Sequence, residues 1–345
     1  MQATAERRQR IRDTLGARTL VMGVLNATPD SFYDGGRYAS PETALARAEQ
    51  MLAEGADILD IGGESTRPGA EPVPEDEELR RTVPVIEAIT TRYPNAILSI
   101  DTTKSRVAEV ALHAGACIIN DISGMTYDPR MAEVAAQAGA LVVLMHIQGT
   151  PRTMQLSPHY ADVVAEVRDA LRAHAQRAEQ AGIPRENIWL DPGIGFGKTV
   201  QHNLQLLRHL PTLKSLGYPV LIGASRKSFI GHLLGGLPPE ERLEGTLATL
   251  ALAVAWGADI VRVHDVQAAV RTVRIADALV REETLTTVHA AQDSVARRGR
   301  AVPTARRPPR TNCYRGGRLP PRSGRTGTRV ATVWNTRGGA YRRVC

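Results

Sequence analysis

Residues 96–123, AILSIDTTKSRVAEVALHAGACIINDIS, contain the unit that decides the fold of this chain. An apolar run ends in Asp101, a helical stretch ends at Gly115, and a second apolar run ends in Asn120 and Asp121. Continuous apolar runs rich in β-branched residues are typical of parallel strands that are covered on both faces. The segment therefore predicts a strand, a helix and a second strand, with polar residues where each strand ends.

The same unit repeats through most of the chain. Strands are predicted at 19–26, 57–63, 96–102, 117–123, 141–147, 188–193, 220–225 and 259–265. Helices are predicted between and after them, at 41–54, 75–91, 104–115, 130–139, 160–182, 202–217, 240–257 and 266–283. In the first helix, Ser40 is the expected N-cap, Pro41 lies in the first turn and Gly55 ends the helix. Eight such units predict an α/β fold, a single (β/α)₈ TIM barrel; an open doubly wound sheet stays as an alternative because the repeat alone cannot show closure.

Charge is distributed unevenly along the 345 residues, which contain 43 Lys and Arg against 36 Asp and Glu, a net charge of +7. From residue 297 onward there are 14 Arg and no acidic residue, so residues 1–296 carry a net charge of −7. A segment rich in Arg, Pro and Gly buries too little apolar surface to fold, and its charges repel one another. We therefore expect an N-terminal extension at 1–18, a barrel at 19–285 and a basic, disordered tail at 286–345.

Composition excludes several classes of protein. Three scattered cysteines cannot form a disulfide framework, and no run of about 20 apolar residues is long enough to cross a membrane. The first residues lack the apolar segment of a secretory signal, so we expect a cytoplasmic protein. The segment DPGIGFGKT at 191–199 has Pro192 where a phosphate-binding P-loop requires glycine, so a nucleotide triphosphatase is not predicted.

The polar residues that end the strands predict where a site lies. In such barrels the active site is built at the C-terminal ends of the strands. A single carboxylate after a strand is more often an N-cap for the next helix, which applies to Asp101 taken alone, and Asp60 alone is expected to be a buried structural carboxylate. Their recurrence at one rim favours a binding site, formed by Asn26, Asp60, Glu64, Asp101, Asn120, Asp121, Met145, His146, Asp191, Ser225, Arg226, Lys227, Arg262, His264 and Asp265.

The mixed charge of this rim indicates the chemistry of its ligand. Carboxylates can accept two parallel N–H bonds from a flat heterocycle with an amidine-like edge, whereas Arg and His suit an anion such as phosphate. Asp101, Asn120, Asp191 and Lys227 are the residues of the first kind, and Arg67, Arg226, Arg262 and His264 are those of the second. Any metal is expected to be Mg²⁺ bound through oxygen atoms, with Asn26 and Asp34 as the candidates nearest the first strand.

Seven segments carry a resemblance to a known family. They are GVLNATPDSFYDGG (23–36), DIGGESTRPGA (60–70), IDTTKSRVAEVALHAGACIINDISG (100–124), LMHIQGTPRTMQ (144–155), DPGIGFGKT (191–199), GASRKSFIG (223–231) and RVHDV (262–266). Together they resemble the dihydropteroate synthases of folate biosynthesis, a family of pterin-binding transferases. The resemblance implies an enzyme that joins 6-hydroxymethyl-7,8-dihydropterin pyrophosphate to p-aminobenzoate, with Mg²⁺, and releases 7,8-dihydropteroate and pyrophosphate.

The resemblance also implies a role for each matching position. Asp101, Asn120, Asp191 and Lys227 would hold the pterin, while Met145 and Phe196 would line its pocket. Asn26, Arg262 and His264 would hold the pyrophosphate, with Asn26 also near Mg²⁺. Thr66, Arg67, Pro68 and Ser228, with Phe32, would shape the p-aminobenzoate pocket. Lys227, Arg262 and His264 would be the catalytic residues, and the family resemblance suggests a homodimer.

Two other functions stay open. A related pterin-binding barrel, such as the methyltetrahydrofolate domain of corrinoid methyltransferases, would share the Asp and Asn positions but has no use for pyrophosphate, so TPDSF, STRPG and SRKS argue against it. The Arg-rich tail could bind nucleic acid through its phosphates. We favour instead a dispensable extension, and therefore expect small-molecule substrates and neither a nucleic-acid partner nor a membrane.

Overall fold

Eight strands form the centre of the molecule. The computed structural model describes residues 2–27, 41–67 and 69–281. Its strands are β1 (Leu20–Asn26), β2 (Ile58–Gly62), β3 (Leu98–Asp101), β4 (Ile118–Asp121), β5 (Leu141–Met145), β6 (Ile188–Asp191), β7 (Leu221–Ile222) and β8 (Ile260–Val263). Each lies inside one of the eight predicted runs, so those predictions are confirmed.

The strands form one parallel sheet that curls into a barrel. Its hydrogen-bonded order is β6-β5-β4-β3-β2-β1-β8-β7, in which neighbours in the sheet are neighbours in the chain except where β1 meets β8. The end strands meet through a parallel bridge between Leu190 and Val220, beside a 2.9 Å bond from the Leu190 N–H to the Pro219 carbonyl. A doubly wound sheet is open, and the order of its strands reverses at a middle strand. The open-sheet alternative is therefore wrong and the TIM barrel is confirmed.

The helices cover the outside of the barrel. In the described ranges they are α1 (Gln2–Thr14), α2 (Pro41–Glu54), α3 (Glu75–Arg92), α4 (Ser105–Ala114), α5 (Met131–Ala138), α6 (Val163–Gln180), α7 (Val200–Arg208), α8 (Leu210–Lys214), α9 (Ser228–Leu233), α10 (Leu243–Ala255) and α11 (Val266–Val280). None of these helices is long and apolar enough to cross a membrane. Ser40 lies outside the described residues, so its predicted role as an N-cap stays a prediction.

Two predicted helices have different bounds for identifiable reasons. The helix predicted from residue 160 begins at Val163, because the side chain of Asp162 accepts hydrogen bonds from the N–H groups of Val164 and Ala165, each at 3.0 Å. The stretch predicted as one helix over 202–217 is two helices that join at His209. Pro211 has no N–H to donate and its ring excludes the preceding turn, which explains the interruption.

Helix α1 was not predicted, since its segment was expected to be an extension of the barrel. Ile11 is 2% exposed and packs among residues of the barrel interior such as Leu20 and Trp189. Arg7 donates to the Ala96 carbonyl at 3.0 Å, and Arg8 donates to the carbonyls of residues 138 and 139, which precede β5. The helix therefore packs against the N-terminal ends of the strands. Residues from 282 onward, including the predicted tail at 286–345, lie outside the described residues.

Side chains along each strand point alternately toward the helices and toward the barrel interior. This alternation separates two apolar layers and positions the site. On β2, Leu59 and Ile61 face the helices, whereas Ile58 faces the barrel interior. Because side chains alternate in direction, Asp60 and Gly62 share the inner face with Ile58. Gly62 pairs in register with Asp101, and Asp101 pairs with Asn120. The inner face therefore changes from apolar at the bottom of the barrel to polar at its C-terminal end.

Candidate active site

One pocket opens at the C-terminal ends of the strands. Its lining combines carboxylates, amides, cations and apolar side chains, which is typical of sites that bind small polar ligands. Eight of the predicted site residues line it: Thr66, Asp101, Asn120, Met145, Asp191, Phe196, Lys227 and Arg262. Ile122, Ile194 and Gly223 complete the lining. The structure thus brings together residues that are far apart in the sequence.

The Asp191 carboxylate forms one wall of the pocket. It lies at the end of β6, only 6% exposed, and its Oδ1 accepts a 2.7 Å hydrogen bond from the Gly193 N–H. Burial raises the pKa of Asp191 to about 6, although that hydrogen bond and the Lys227 charge lower it. At neutral pH the group is therefore ionised and can accept N–H bonds from a ligand.

Arg262 is held by two carboxylates at the floor of the pocket. Its Nε donates to Asp60 Oδ2 and its Nη2 to Asp101 Oδ2, both at 2.6 Å. Burial by itself would lower the pKa of Arg262, but the two carboxylates raise it above its ordinary value. Burial raises the pKa of Asp101, whereas Arg262 lowers it. Asp101 therefore orients Arg262, and it does not cap the next helix, which begins at Ser105 after the uncapped position Lys104.

Lys227 is a half-buried cation beside an aromatic ring. Its Nζ lies 4.0 Å from the centre of the Phe196 ring, a contact that attracts a cation to the ring face. Burial lowers the pKa of Lys227 to about 8, helped by the positive charge of Arg262. Lys227 is thus still mostly protonated at neutral pH, and its ammonium is available to a carbonyl or anion in the pocket.

His264 lies beside Ser225 and is not among the residues that line the pocket. Burial, together with the charge of Arg262, lowers its pKa to about 4. Ser225 Oγ accepts the His264 backbone N–H at 3.2 Å and lies 3.1 Å from His264 Nδ1. If the serine hydroxyl donates to Nδ1, the ring proton lies on Nε2. That nitrogen can then donate to an anion without carrying a full charge.

The sequence did not single out Ile122, which lines the pocket, or Met154, which packs in the apolar cluster beside it. Ile122 and Met154 are 6% and 3% exposed and cluster with Met145 and Phe196. Ile122 follows Asn120 by two positions, so the period of a strand could have identified it as facing the same side. Met154 lies in the loop after β5, where no periodicity applies, and the sequence carries no comparable signal for it.

Several rim residues form ion pairs or hydrogen bonds with neighbouring residues and do not line the pocket. Glu64 forms an ion pair with Lys104, which also binds the buried Glu78. Asp121 accepts hydrogen bonds from the Ser123 N–H and hydroxyl and from the Met125 N–H, and so holds the turn after β4. Arg226, expected to suit an anion, instead forms an ion pair with Asp265. These residues shape the rim rather than line the pocket.

The described residues among those predicted to bind p-aminobenzoate lie at the outer edge of the site. Arg67 and Ser228 are exposed, at the loop after β2 and at the first residue of α9. Thr66, beside Arg67, lines the pocket. Pro68 and Phe32 lie outside the described residues, so their roles stay predictions. The described part thus places an exposed cation and a hydroxyl around the mouth of the pocket.

Asn26 is the described residue that could contribute to a metal site. It ends β1 and pairs in register with Gly62, which pairs on its other side with Asp101. Among the residues described, no group of three or more His, Cys, Asp or Glu could hold a metal. A single amide oxygen cannot retain Mg²⁺ alone, but Mg²⁺ commonly takes one or two protein ligands together with substrate phosphates and water. The residues present fit an ion that arrives with a phosphate-bearing substrate. Asp34, the other candidate, lies outside the described residues.

Comparisons with known proteins show the family to which the chain is similar. A profile of the pterin binding enzyme family matches residues 22–264. The chain is 53% identical to the dihydropteroate synthase of Synechocystis sp. over 77% of this chain and 92% of that protein. It is 50% identical to the dihydropteroate synthase of Bacillus subtilis over 76% of this chain and 89% of that one.

Solved structures show the same likeness. The dihydropteroate synthase of Yersinia pestis in complex with a sulfonamide drug superposes with a TM-score of 0.73 at 47% identity, over 76% of this chain and 94% of that one. The enzyme from Xanthomonas albilineans has been solved with 4-aminobenzoic acid (TM-score 0.71, 47% identity, 76% and 93% coverage). It has also been solved with 7,8-dihydropteroate (TM-score 0.69, 44% identity, 76% and 94% coverage).

Proposed function

This chain belongs to the dihydropteroate synthase family of pterin-binding enzymes, and from that membership we propose the reaction of its pocket. The enzyme is a transferase that condenses 6-hydroxymethyl-7,8-dihydropterin pyrophosphate with p-aminobenzoate in folate biosynthesis. The products are 7,8-dihydropteroate and pyrophosphate. The observation that carries this proposal is one pocket lined both by the acceptors Asp191 and Asn120 and by the cations Lys227 and Arg262.

The acidic and amide side suits the pterin ring. Asp191 and Asn120 present acceptors to the N–H groups of the ring, and Lys227 presents a donor to its carbonyl oxygen. Met145, Ile122 and Phe196 supply apolar surface for the flat faces of the ring. A pocket of this kind holds the ring by its edge and its faces, which fixes the direction of the exocyclic methylene group.

Arg262 and His264 suit the pyrophosphate. Arg262 and the Nε2–H of His264 would donate to its oxygens, and they stabilise the negative charge that grows as the C–O bond to the methylene carbon breaks. The electron-poor carbon is then attacked by the aniline nitrogen of p-aminobenzoate, which loses a proton after the C–N bond forms. No covalent intermediate with the protein is needed, so the protein contributes orientation and stabilisation of the leaving group.

Mg²⁺ is proposed as the metal of this reaction. Asn26, at the end of β1, would contribute an amide oxygen, and the remaining ligands would be pyrophosphate oxygens and water. When bound, the ion neutralises part of the charge on the leaving group. Activity that is unchanged by a chelator such as EDTA would contradict this assignment.

The outer residues suit the second substrate. Arg67 and Ser228 would bind the carboxylate of p-aminobenzoate, while Thr66 would contact its ring near the pterin. Resemblance to the family further supports a homodimer and a cytoplasmic location. The proposed pyrophosphate site at Arg262 and His264 disfavours the methyltransferase-type barrel, whose pterin substrate carries no pyrophosphate.

A two-substrate assay tests the proposal. Purified full-length protein is incubated with the pterin pyrophosphate and Mg²⁺, with and without p-aminobenzoate, and both dihydropteroate and pyrophosphate are measured. We expect pyrophosphate release only when p-aminobenzoate is present, and a loss of about 100-fold or more in Arg262→Ala. Wild-type rates of pyrophosphate release in Arg262→Ala would show that the leaving-group site is wrong.

A further inference from the structure

One carboxylate beneath the pocket has not been assigned to either substrate. Asp60 lies on the inner face of β2 and has no exposed surface (0%). It pairs in register with Val24 and Ser99, one level deeper than the rim pair of Gly62 and Asp101. Burying a carboxylate costs free energy unless its partners compensate for the lost water. The partners of Asp60 therefore indicate why a charge is placed there.

A single oxygen of Asp60 accepts hydrogen bonds from two residues of the active site. Its Oδ2 lies 2.6 Å from Arg262 Nε and 3.0 Å from Asn120 Nδ2. The other oxygen, Oδ1, is buried and has no hydrogen-bond partner among the residues described. We propose that Asp60 is a positioning residue: through Oδ2 it orients both the amide that binds the pterin and the guanidinium that binds the pyrophosphate. This inference rests on the proposed function.

The bond to Asn120 determines which end of the amide faces the pocket. The Asp60 oxygen that accepts from the Arg262 guanidinium also accepts from the Asn120 NH₂ group. A flipped amide would place two oxygens against each other. The carbonyl oxygen of Asn120 therefore points away from Asp60, and Asn120 lines the pocket. Asp60 thus makes Asn120 an acceptor for the N–H-rich edge of the pterin.

The bond to Arg262 determines the plane of the guanidinium. That group is flat, and two donors with fixed partners orient it completely. Nε is bound by Asp60 and Nη2 by Asp101. Nη1 has no hydrogen bond to the described part of the chain, so its direction is set by the other two. Removing Asp60 would leave one bond and allow the plane to rotate about it.

Sharing one oxygen links the two halves of the substrate site. A change at Asp60 should therefore weaken the binding of a pterin and of pyrophosphate together, although neither ligand touches it. The site of p-aminobenzoate, formed by exposed residues at the rim, should be unaffected. A purely structural carboxylate would instead lower the stability of the fold without this selective pattern.

The test uses Asp60→Asn, which preserves the shape of the side chain but removes its charge. We expect the Kd of 6-hydroxymethylpterin, measured by calorimetry, and the inhibition constant of pyrophosphate each to rise about tenfold or more, because a hydrogen bond to a charged group is lost. The KM of p-aminobenzoate should stay within about twofold. When Asp60→Asn is combined with Asn120→Ala, the loss of pterin affinity should be smaller than the two separate losses predict, since both changes act on one bond.

Asp277→Asn is the matched control. Asp277 is 2% exposed and accepts hydrogen bonds from the Thr19 N–H and hydroxyl and from Arg281 Nε, far from the pocket. Its loss should lower the melting temperature and leave all three ligand constants unchanged. If Asp60→Asn behaves in the same way, with both ligand affinities within about twofold of wild type, the proposal is overturned.

A measurement on the wild-type enzyme decides the matter if the variant does not fold. In a crystal structure with 6-hydroxymethylpterin bound, Asn120 Nδ2 should stay on Asp60 while its carbonyl oxygen faces the ring. An Asn120 side chain turned away from Asp60 in that complex would overturn the proposal. Failure of the proposed function is separate, because it would appear as absent dihydropteroate synthesis by the wild-type protein.

Discussion

Arg226 and Asp265 form a two-pronged ion pair that joins two loops of the active site. Arg226 Nε lies 2.9 Å from Asp265 Oδ2, and Nη2 lies 2.6 Å from Oδ1. Arg226 immediately precedes Lys227, and Asp265 immediately follows His264. The pair therefore connects the residue that would bind the pterin carbonyl with one that would bind the pyrophosphate.

The backbone of Arg226 explains why the pair is needed. Its φ is 58°, in the left-handed region that residues with a side chain seldom adopt and that costs about 1 kcal/mol or more. Thr246 Oγ1 accepts its N–H at 3.0 Å, and Arg242 Nη1 donates to its carbonyl at 2.9 Å. With the ion pair, these bonds hold a strained turn that directs Lys227 into the pocket.

Asp265→Asn tests the role of this pair. The amide keeps the size of the side chain but cannot accept two bonds from the guanidinium, so the turn is free to relax and Lys227 to move. We expect kcat/KM for the pterin pyrophosphate to fall about tenfold, as for loss of a charge-assisted hydrogen bond. Steady-state kinetics with p-aminobenzoate at saturation measure this change in kcat/KM.

Asp57→Asn serves as the control for that variant. Asp57 forms a two-pronged pair with Arg18, at 2.8 Å and 2.5 Å, just before β2 at the opposite end of the barrel. Its loss should change stability but not kcat/KM. Equal kinetic losses in the two variants would show that the effect comes from general destabilisation and not from the position of Lys227.

Lys198→Met tests a buried lysine behind the pocket. Lys198 is 3% exposed, and its Nζ lies 2.9 Å from the Phe196 carbonyl and 3.1 Å from His146 Nδ1. Burial lowers its pKa to about 7. Without these bonds the Phe196 segment is free to shift beneath Lys227, so the KM of the pterin pyrophosphate should rise about tenfold while that of p-aminobenzoate changes little.

Lys214→Met is the matched replacement for comparison. Lys214 forms an ion pair with Asp259, outside the pocket, and its side chain is 37% exposed. This variant should keep both KM values. A rise in both KM values in Lys198→Met, or no rise in either, would contradict a role for Lys198 in holding the pterin side of the site.

Gly193→Ala tests how closely two loops approach. Gly193 has a φ of 69°, and a Cβ built on it would lie 2.0 Å from the backbone carbonyl oxygen of His146. A backbone atom cannot move aside, so we expect a loss of about 3 kcal/mol or more in urea unfolding. Gly236→Ala, with φ +94° and nothing within 4 Å of its Cβ, should cost only about 1 kcal/mol. Similar losses in both variants would mean that strain, not the contact, dominates.

The framework of the site was predictable because local patterns determine it. Parallel buried strands require apolar runs, and the polar residues that end them, such as Asp101 and Asn120, must meet at one rim once the barrel closes. Those positions follow from strand number and period alone. The eight strands and most of the pocket lining therefore follow from the sequence.

The partners within the site were not predictable, because they depend on side-chain direction across distant strands. Arg226 has the charge that suits an anion, yet it binds Asp265, which lies 39 positions away. Asp60, taken alone, is predicted to be a buried structural carboxylate, since no pattern shows that one of its oxygens serves two active-site residues. Helix α1 was missed for a related reason: it has little apolar periodicity, and only its contacts with the barrel, such as that of Ile11, stabilise it.

Asp191→Asn tests the cost of keeping a carboxylate buried. Burial raises the pKa of Asp191 from 3.8 to about 6, so the folded protein holds this proton more tightly than the unfolded chain. The stability that the proton on Asp191 contributes to the folded state is therefore complete below about pH 4 and is lost as the pH rises through about 6. Asparagine stays neutral and can still accept the Gly193 N–H, so the variant should be more stable than wild type by about 1–3 kcal/mol at pH 8 and equally stable near pH 4. Urea unfolding across this range measures the difference, and 6-hydroxymethylpterin binding should be lost. A difference in stability that is independent of pH would show that the Asp191 carboxylate is not the group responsible.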